Sequence, residues 1–222
     1  MKETIDFQLG KWQDLPVFSK GTIGAFLGDE EKRVLLPAKQ VPKEVQPGDV
    51  MHVFLYKDSR DRLIATVHEP KITVGETAVL RVKQITGIGA FLDWGLEKDL
   101  FLPFRQQTQQ PEEGLYYPVA LYVDKTDRLA ATMWVDKFLK GDLDERRKQL
   151  SLLRMQADVE NVYVRLVRMN GRIPYIDKAD AQLIEKDFGL SKNAFKRAVG
   201  VLYKQRRIQI LEDSIILAAD QR

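Results

Sequence analysis

The chain has 222 residues, with 35 Lys and Arg against 32 Asp and Glu, and no cysteine. Disulfides and thiolate metal centres are therefore excluded, and 44% hydrophobic with 30% charged residues predicts packed domains rather than disorder. No apolar run reaches the roughly eighteen residues of a membrane span, and Met1–Gly10 carries Glu3 and Asp6 in place of the apolar block of a secretory signal. With the missing cysteines this predicts a cytoplasmic protein.

The formal net charge of +3 is unevenly spread. Residues 1–69 hold 10 basic against 11 acidic side chains, 70–135 hold 7 against 8, and 136–222 hold 18 against 13. The surplus sits in the last third, where it would attract a polyanion or simply form a lysine-rich solvated surface.

One pattern occurs twice in the first 135 residues. Gly24-Ala25-Phe26-Leu27 returns 65 positions later as Gly89-Ala90-Phe91-Leu92. Leu35-Leu36-Pro37 answers to Phe101-Leu102-Pro103, Gly48 to Gly114, and Asp61-Arg62-Leu63 to Asp127-Arg128-Leu129, each at an offset of 66. Ordered landmarks at a nearly constant offset predict two copies of one module, over 1–69 and 70–135.

Each copy reads as strands. Val79–Ile85 is rich in β-formers and ends at Gly87 and Gly89, after which Ala90–Trp94 follows at once. Val50–Tyr56 and Val119–Val123 are further apolar runs, each leading through a polar turn into a last strand. Four or five short strands in about 65 residues, without helical periodicity, predict a small barrel whose closure removes exposed edges.

Residues 136–157 are polar and helix-permissive, predicting a connector that ends in a short helix. Beyond it, Val159, Val162, Leu166 and Met169 fall at helical spacing before Asn170-Gly171. Ile173–Ile176 reads as a brief strand. Asp177 is the expected cap of a second helix that stops at Gly189, and Ser191 caps a third. Phe195, Ala198, Val199 and Leu202 give the third helix one buried stripe. Ile208 and Ile210, then Ile215 and Leu217, flank the turn Glu212-Asp213-Ser214 and predict a β-hairpin. This order is that of a winged helix over 158–222, with the third helix as recognition element.

A strand, a glycine-flanked turn and Gly-Ala-Phe-hydrophobic resemble the S1 type of OB fold. The resemblance implies base stacking at Phe26 and Phe91, with Trp94 nearby; packing of these rings inside the barrel is the other reading. Pro37 and Pro103 stand in the region where members of that family carry an RNA-contacting His. On the third helix, capping by Ser191 leaves amide donors, and Lys192, Asn193, Lys196, Arg197 and Lys204, with Arg206 and Arg207 beyond, are the expected phosphate or base contacts.

The module order, and the string Phe188-Gly189-Leu190-Ser191-Lys192 continuing through Phe195-Lys196-Arg197-Ala198-Val199-Gly200-Val201-Leu202-Tyr203-Lys204, are similar to the bacterial conserved virulence factor B (YitL) family. That resemblance implies S1-like barrels followed by a winged helix, cytoplasmic location, RNA binding and gene regulation. Longer members carry a third S1-like barrel, whose place here holds only the connector.

The expected fold is thus multi-domain β + α, with two tandem S1-like OB barrels and a C-terminal winged helix. His52 and His68 lack metal-ligand spacing, and no phosphate-binding glycine loop or nucleophile elbow is present. The sequence predicts no catalysis, no cofactor, no metal and no membrane partner. The expected partner is single-stranded RNA; a DNA-binding transcription regulator and a protein-docking scaffold are the alternatives.

Overall fold

The computed structural model describes residues 5–176 and 179–218. The first repeat forms β1 (Trp12–Gly21), β2 (Gly24–Gly28), β3 (Arg33–Pro37), β4 (Val50–Lys57) and β5 (Leu63–Thr66). These close into a barrel in the order β1-β2-β3-β5-β4. The second repeat forms β6 (Thr77–Thr86), β7 (Gly89–Asp93), β8 (Leu100–Pro103), β9 (Tyr116–Val123) and β10 (Leu129–Thr132), closed with the same connectivity. In each barrel one parallel bridge shuts the ring, Leu35 to Ile64 and Phe101 to Ala130.

The repeated glycines have a steric cause. Gly24 and Gly89 hold φ of 145° and 151°, and a Cβ there would run into the carbonyl oxygens of Leu36 and Leu102. Only glycine lets β2 and β7 lie this close to the next strand. From there the period of two points Ala25 and Leu27, and Ala90 and Leu92, into the cores, and turns Phe26 and Phe91 outward. A bulge interrupts β1 between Val17 and Ser19, and another interrupts β6 between Val82 and Gln84.

The barrels share a seam. Phe54 and Tyr56 of β4 are buried in one cluster with Leu80, Leu92 and Trp94 of the second barrel. Trp94 is only 2% exposed; its ring meets Phe54 and Tyr56 edge-on, with centroids at 5.9 Å and 6.2 Å. Its Nε1–H donates to the Lys98 carbonyl. Lys98 Nζ in turn donates to the Asp58 carbonyl at 2.9 Å. Trp94, expected near the ligand, is thus packed in the seam and also borders the cleft that lies beside Phe91.

The C-terminal region consists of α1 (Leu143–Arg168), β11 (Arg172–Ile173), α2 (Ala181–Phe188), α3 (Lys192–Lys204), β12 (Ile208–Ile210) and β13 (Ile215–Leu217), with sheet order β11-β13-β12. It is a winged helix. The expected connector with its short helix, and the separate helix after it, are one helix of 26 residues. No Gly or Pro falls between Leu143 and Arg168, and Asp142 with Glu145 closes a full capping box. Asp177, the expected cap of α2, lies outside the described residues; Asp180 accepts from the Gln182 amide at that helix start.

Helix α1 also docks on the second barrel. The Asn161 side-chain amide makes a two-way bond with the Tyr116 backbone, at 2.7 Å and 2.9 Å, and Arg165 pairs with Glu112 at 2.8 Å. Its other side joins Phe188, Phe195 and Leu202 in the winged-helix core through Val159, Val162 and Leu166. Because Trp94 fills the barrel seam, Trp94→Ala is expected to destabilise the protein by about 3–5 kcal/mol, read from urea unfolding.

Candidate nucleic-acid interface

On the second barrel Phe91 is half-buried, neither sealed nor free. Across the β7–β8 ladder it faces Phe101, and the two rings tilt against each other with centroids 5.3 Å apart. They form a wall of a cleft of ≈ 320 Å³ that also takes in Ile88, Lys98 and Arg128, and the Lys57–Asp61 turn of the first barrel. Ile88, at the tip of the β6–β7 turn, is 65% exposed. An apolar wall with cations at its rim suits a flat, partly charged ligand.

The rim is held by the two equivalent hairpin turns. Asp58 and Asp124 each accept backbone amides of their own turn, and Asp61 and Asp127 adopt left-handed φ of 63° and 61°. Arg128 from one turn reaches Asp61 of the other at 3.0 Å. The cleft is therefore built by both barrels. On the first barrel Phe26 is likewise half-buried, but it faces Leu35, so no ring pair forms there.

On the winged helix the Ser191 hydroxyl accepts from the Ala194 amide at 3.3 Å and starts α3. Phe195, Ala198, Val199 and Leu202 are buried, as the spacing requires. Asn193, Lys196, Arg197 and Lys204 are exposed on the other face, and Lys192 is half-buried at its edge. Arg197 lies close enough to α1 to hold the Asp158 carboxyl down, together with Arg154. Burial outweighs both and leaves the Asp158 pKa above the usual carboxylate value.

Arg207 is a correction. Its guanidinium binds both carboxylate oxygens of Glu160, at 2.7 Å and 3.0 Å, and stacks 3.9 Å from the Tyr163 ring centre. It fastens the hairpin to α1 and is not available as a phosphate contact. Arg206 differs. All three helices end on a left-handed residue: Asn170 (φ 57°), Gly189 (φ 67°) and Arg206 (φ 58°). Asn and Gly are the usual occupants, whereas Arg carries a steric cost there. Its side chain is exposed just beyond the cationic face.

Sequence reasoning missed Phe101, Lys98 and Arg128. The signal for Phe101 was in the repeat, where it replaces Leu35 at the matched position; the other two depend on how the barrels meet. Among the described residues no group of three His, Cys, Asp or Glu gathers to hold a metal, and no helix is long and apolar enough to cross a membrane. His52 stacks on Trp12 and bonds Asp14 at 2.6 Å.

Two five-stranded closed barrels with a Gly-Ala-Phe strand, followed by a winged helix, define a tandem S1-domain protein. The S1 domain model matches residues 9–68 and again 74–134, and the CvfB-like winged helix domain model matches 160–217; the chain belongs to this family. It is 24% identical to "Uncharacterized protein YitL" of Bacillus subtilis (strain 168), over 90% of each chain. It is 23% identical to "Conserved virulence factor B" of Staphylococcus aureus (strain USA300), over 78% of this chain and 81% of that one. The alignment to the Bacillus protein spans 273 positions but draws on about 200 residues here (90% of 222), leaving about 70 positions without a counterpart, close to one barrel. A solved multidomain protein with nucleic acid binding domains from Streptococcus pneumoniae TIGR4 shares the fold at 16% identity and a TM-score of 0.50, over 94% of this chain and 98% of that one.

Two outcomes are expected from this geometry. Arg206→Gly relieves the left-handed strain and raises stability by up to about 1 kcal/mol in thermal melts, while weakening oligonucleotide binding. Asp158→Asn removes a carboxylate beside Arg197 and tightens that binding. Because the folded pKa of Asp158 lies above its unfolded value, acidification protonates it first in the folded state. The gain from Asp158→Asn therefore shrinks as pH falls through the folded pKa.

Proposed function

We propose that this protein is a non-catalytic, cytoplasmic regulator of gene expression that holds single-stranded RNA, with bases against the Phe91–Phe101 wall and phosphates along α3. The observation that carries it is the open ring pair beside Lys98 and Arg128, on the same docked body as the cationic face of α3. Bases in a duplex are stacked and paired, so a ring-lined cleft favours unpaired ones. The cleft also contains Asp61, Asp99 and Asp124. Carboxylates only accept hydrogen bonds and repel phosphate, so they suit ribose hydroxyls and base amino groups.

A second reading rests on α3 and the hairpin wing, which have the layout of a duplex DNA reader. The two readings separate in one titration. Labelled oligo-U RNA, oligo-dT and duplex DNA are bound to wild type, Phe91→Ala, and Lys196→Ala with Arg197→Ala. Oligo-U is expected to bind tightest, and Phe91→Ala to weaken it about 5- to 150-fold, the worth of one stacked base. With about four phosphates neutralised, log K falls against log salt with a slope near −3, and the double variant flattens that slope by about 1.4. Affinity that ignores salt, or a preference for duplex, sinks the RNA reading.

A further inference from the structure

The two bulges fall at matched places, and the residues they expel differ. In the first barrel it is Phe18, 37% exposed; in the second it is Lys83. A bulge re-aims a side chain out of the ladder, so both project from the barrel wall. The residues that meet them come from matched positions, Arg33 at the start of β3 and Asp99 immediately before β8. Arg33 places its guanidinium carbon 3.6 Å from the Phe18 ring centre, whereas Asp99 forms an ion pair with Lys83 at 2.8 Å.

The strand between explains the first contact. The β2 residue opposite Arg33 is Gly28, which has no side chain, so Arg33 on β3 can reach across β2 to β1. The matched β7 residue is Asp93, which binds Lys71 at 2.7 Å. Arg33 is further fixed by Nε and Nη2 donating to the Asp29 and Glu30 carbonyls, at 2.9 Å and 3.4 Å. Asp29 is itself set by accepting the Glu31 and Lys32 amides at 2.8 Å and 2.7 Å. One planar cation thus lies on one exposed ring. In the second barrel the same place is a closed ion pair.

We propose that Phe18 and Arg33 form a second nucleobase site, on the first barrel, in which an unpaired base stacks on the outer face of the guanidinium or at the edge of the ring. This rests on the RNA reading above and assigns the first barrel its own part in it. A guanidinium already held flat on a ring loses little freedom when a base covers it, and Arg planes and aromatic rings are the surfaces on which unpaired bases stack. Phe26, half-buried on the neighbouring strand, pairs with Ser19, the residue next to Phe18. A ring–arginine pair that served only to stabilise the barrel would leave binding unchanged when removed.

The test is binding of labelled oligo-U RNA, long enough to span both barrels, to the full chain. The proteins compared are wild type, Phe18→Ala, Arg33→Lys, Lys83→Ala and Phe91→Ala. Phe18→Ala is expected to weaken binding at least 5-fold with the salt slope unchanged. Arg33→Lys keeps the charge and loses the plane, and should weaken binding similarly, whereas Lys83→Ala should change it less than 2-fold. Arg33 is exposed, so Arg33→Lys decides the matter if Phe18→Ala fails to fold. Wild-type affinity in both Phe18→Ala and Arg33→Lys, with a loss in Phe91→Ala, overturns the second site and leaves the RNA reading standing. No binding by the wild type overturns both.

Discussion

The arrangement depends on a single buried contact, the Trp94 indole set edge-on between Phe54 and Tyr56. Around it lie Trp12, Ile64 and Ile72, and the Val74 amide donates to the Gly10 carbonyl at 2.9 Å. With it, the first barrel's β4 contributes to the second barrel's core. The contact also decides where the polar turns go. Lys98, held by the Asp58 carbonyl, and Arg128, held by Asp61, bring the two equivalent hairpins together at one rim. The exposed Arg128–Asp61 pair contributes little stability, so the hydrophobic seam sets the geometry and the charges follow it.

Helix α1 extends the same logic. It belongs to the winged helix by its apolar stripe and to the second barrel by Asn161, whose amide imitates the pairing of a further strand at Tyr116. Arg207 closes the assembly through Glu160 and Tyr163. The ring pair on the second barrel and the cations of α3 are thereby held by one helix.

Comparing the two repeats shows where the protein has specialised. The features that make a barrel are kept: the close-approach glycines, the inward Ala and Leu, the αL aspartates of the turns. Outward positions diverge. Leu35 becomes Phe101, Phe18 becomes Lys83, Arg33 becomes Asp99 and Gly28 becomes Asp93. Steric closure constrains the first set in every barrel. The second set faces outward, where the barrel itself imposes little.

Much was legible in the sequence because its causes are local. A glycine that alone can approach a carbonyl, an alternation of two, a stripe of 3.6 and a Ser cap each act within a few residues, and together they established two barrels, the last two helices and a hairpin. The continuous α1 was misread for a local reason as well: its first half is polar and exposed, so it lacks the periodic stripe that marks a helix, although nothing in it breaks one. Side-chain roles were another matter. Trp94 and Phe91 lie three residues apart and border the same cleft, yet one is buried in the seam and the other is half-exposed. Arg206 and Arg207 are adjacent, yet one is exposed and the other is bound to Glu160. Sequence alone determined the modules and their order, because backbone sterics and periodic burial are written in neighbouring residues. Only the tertiary structure decided which rings and cations remain open, because that depends on what the facing barrel or helix places against each of them.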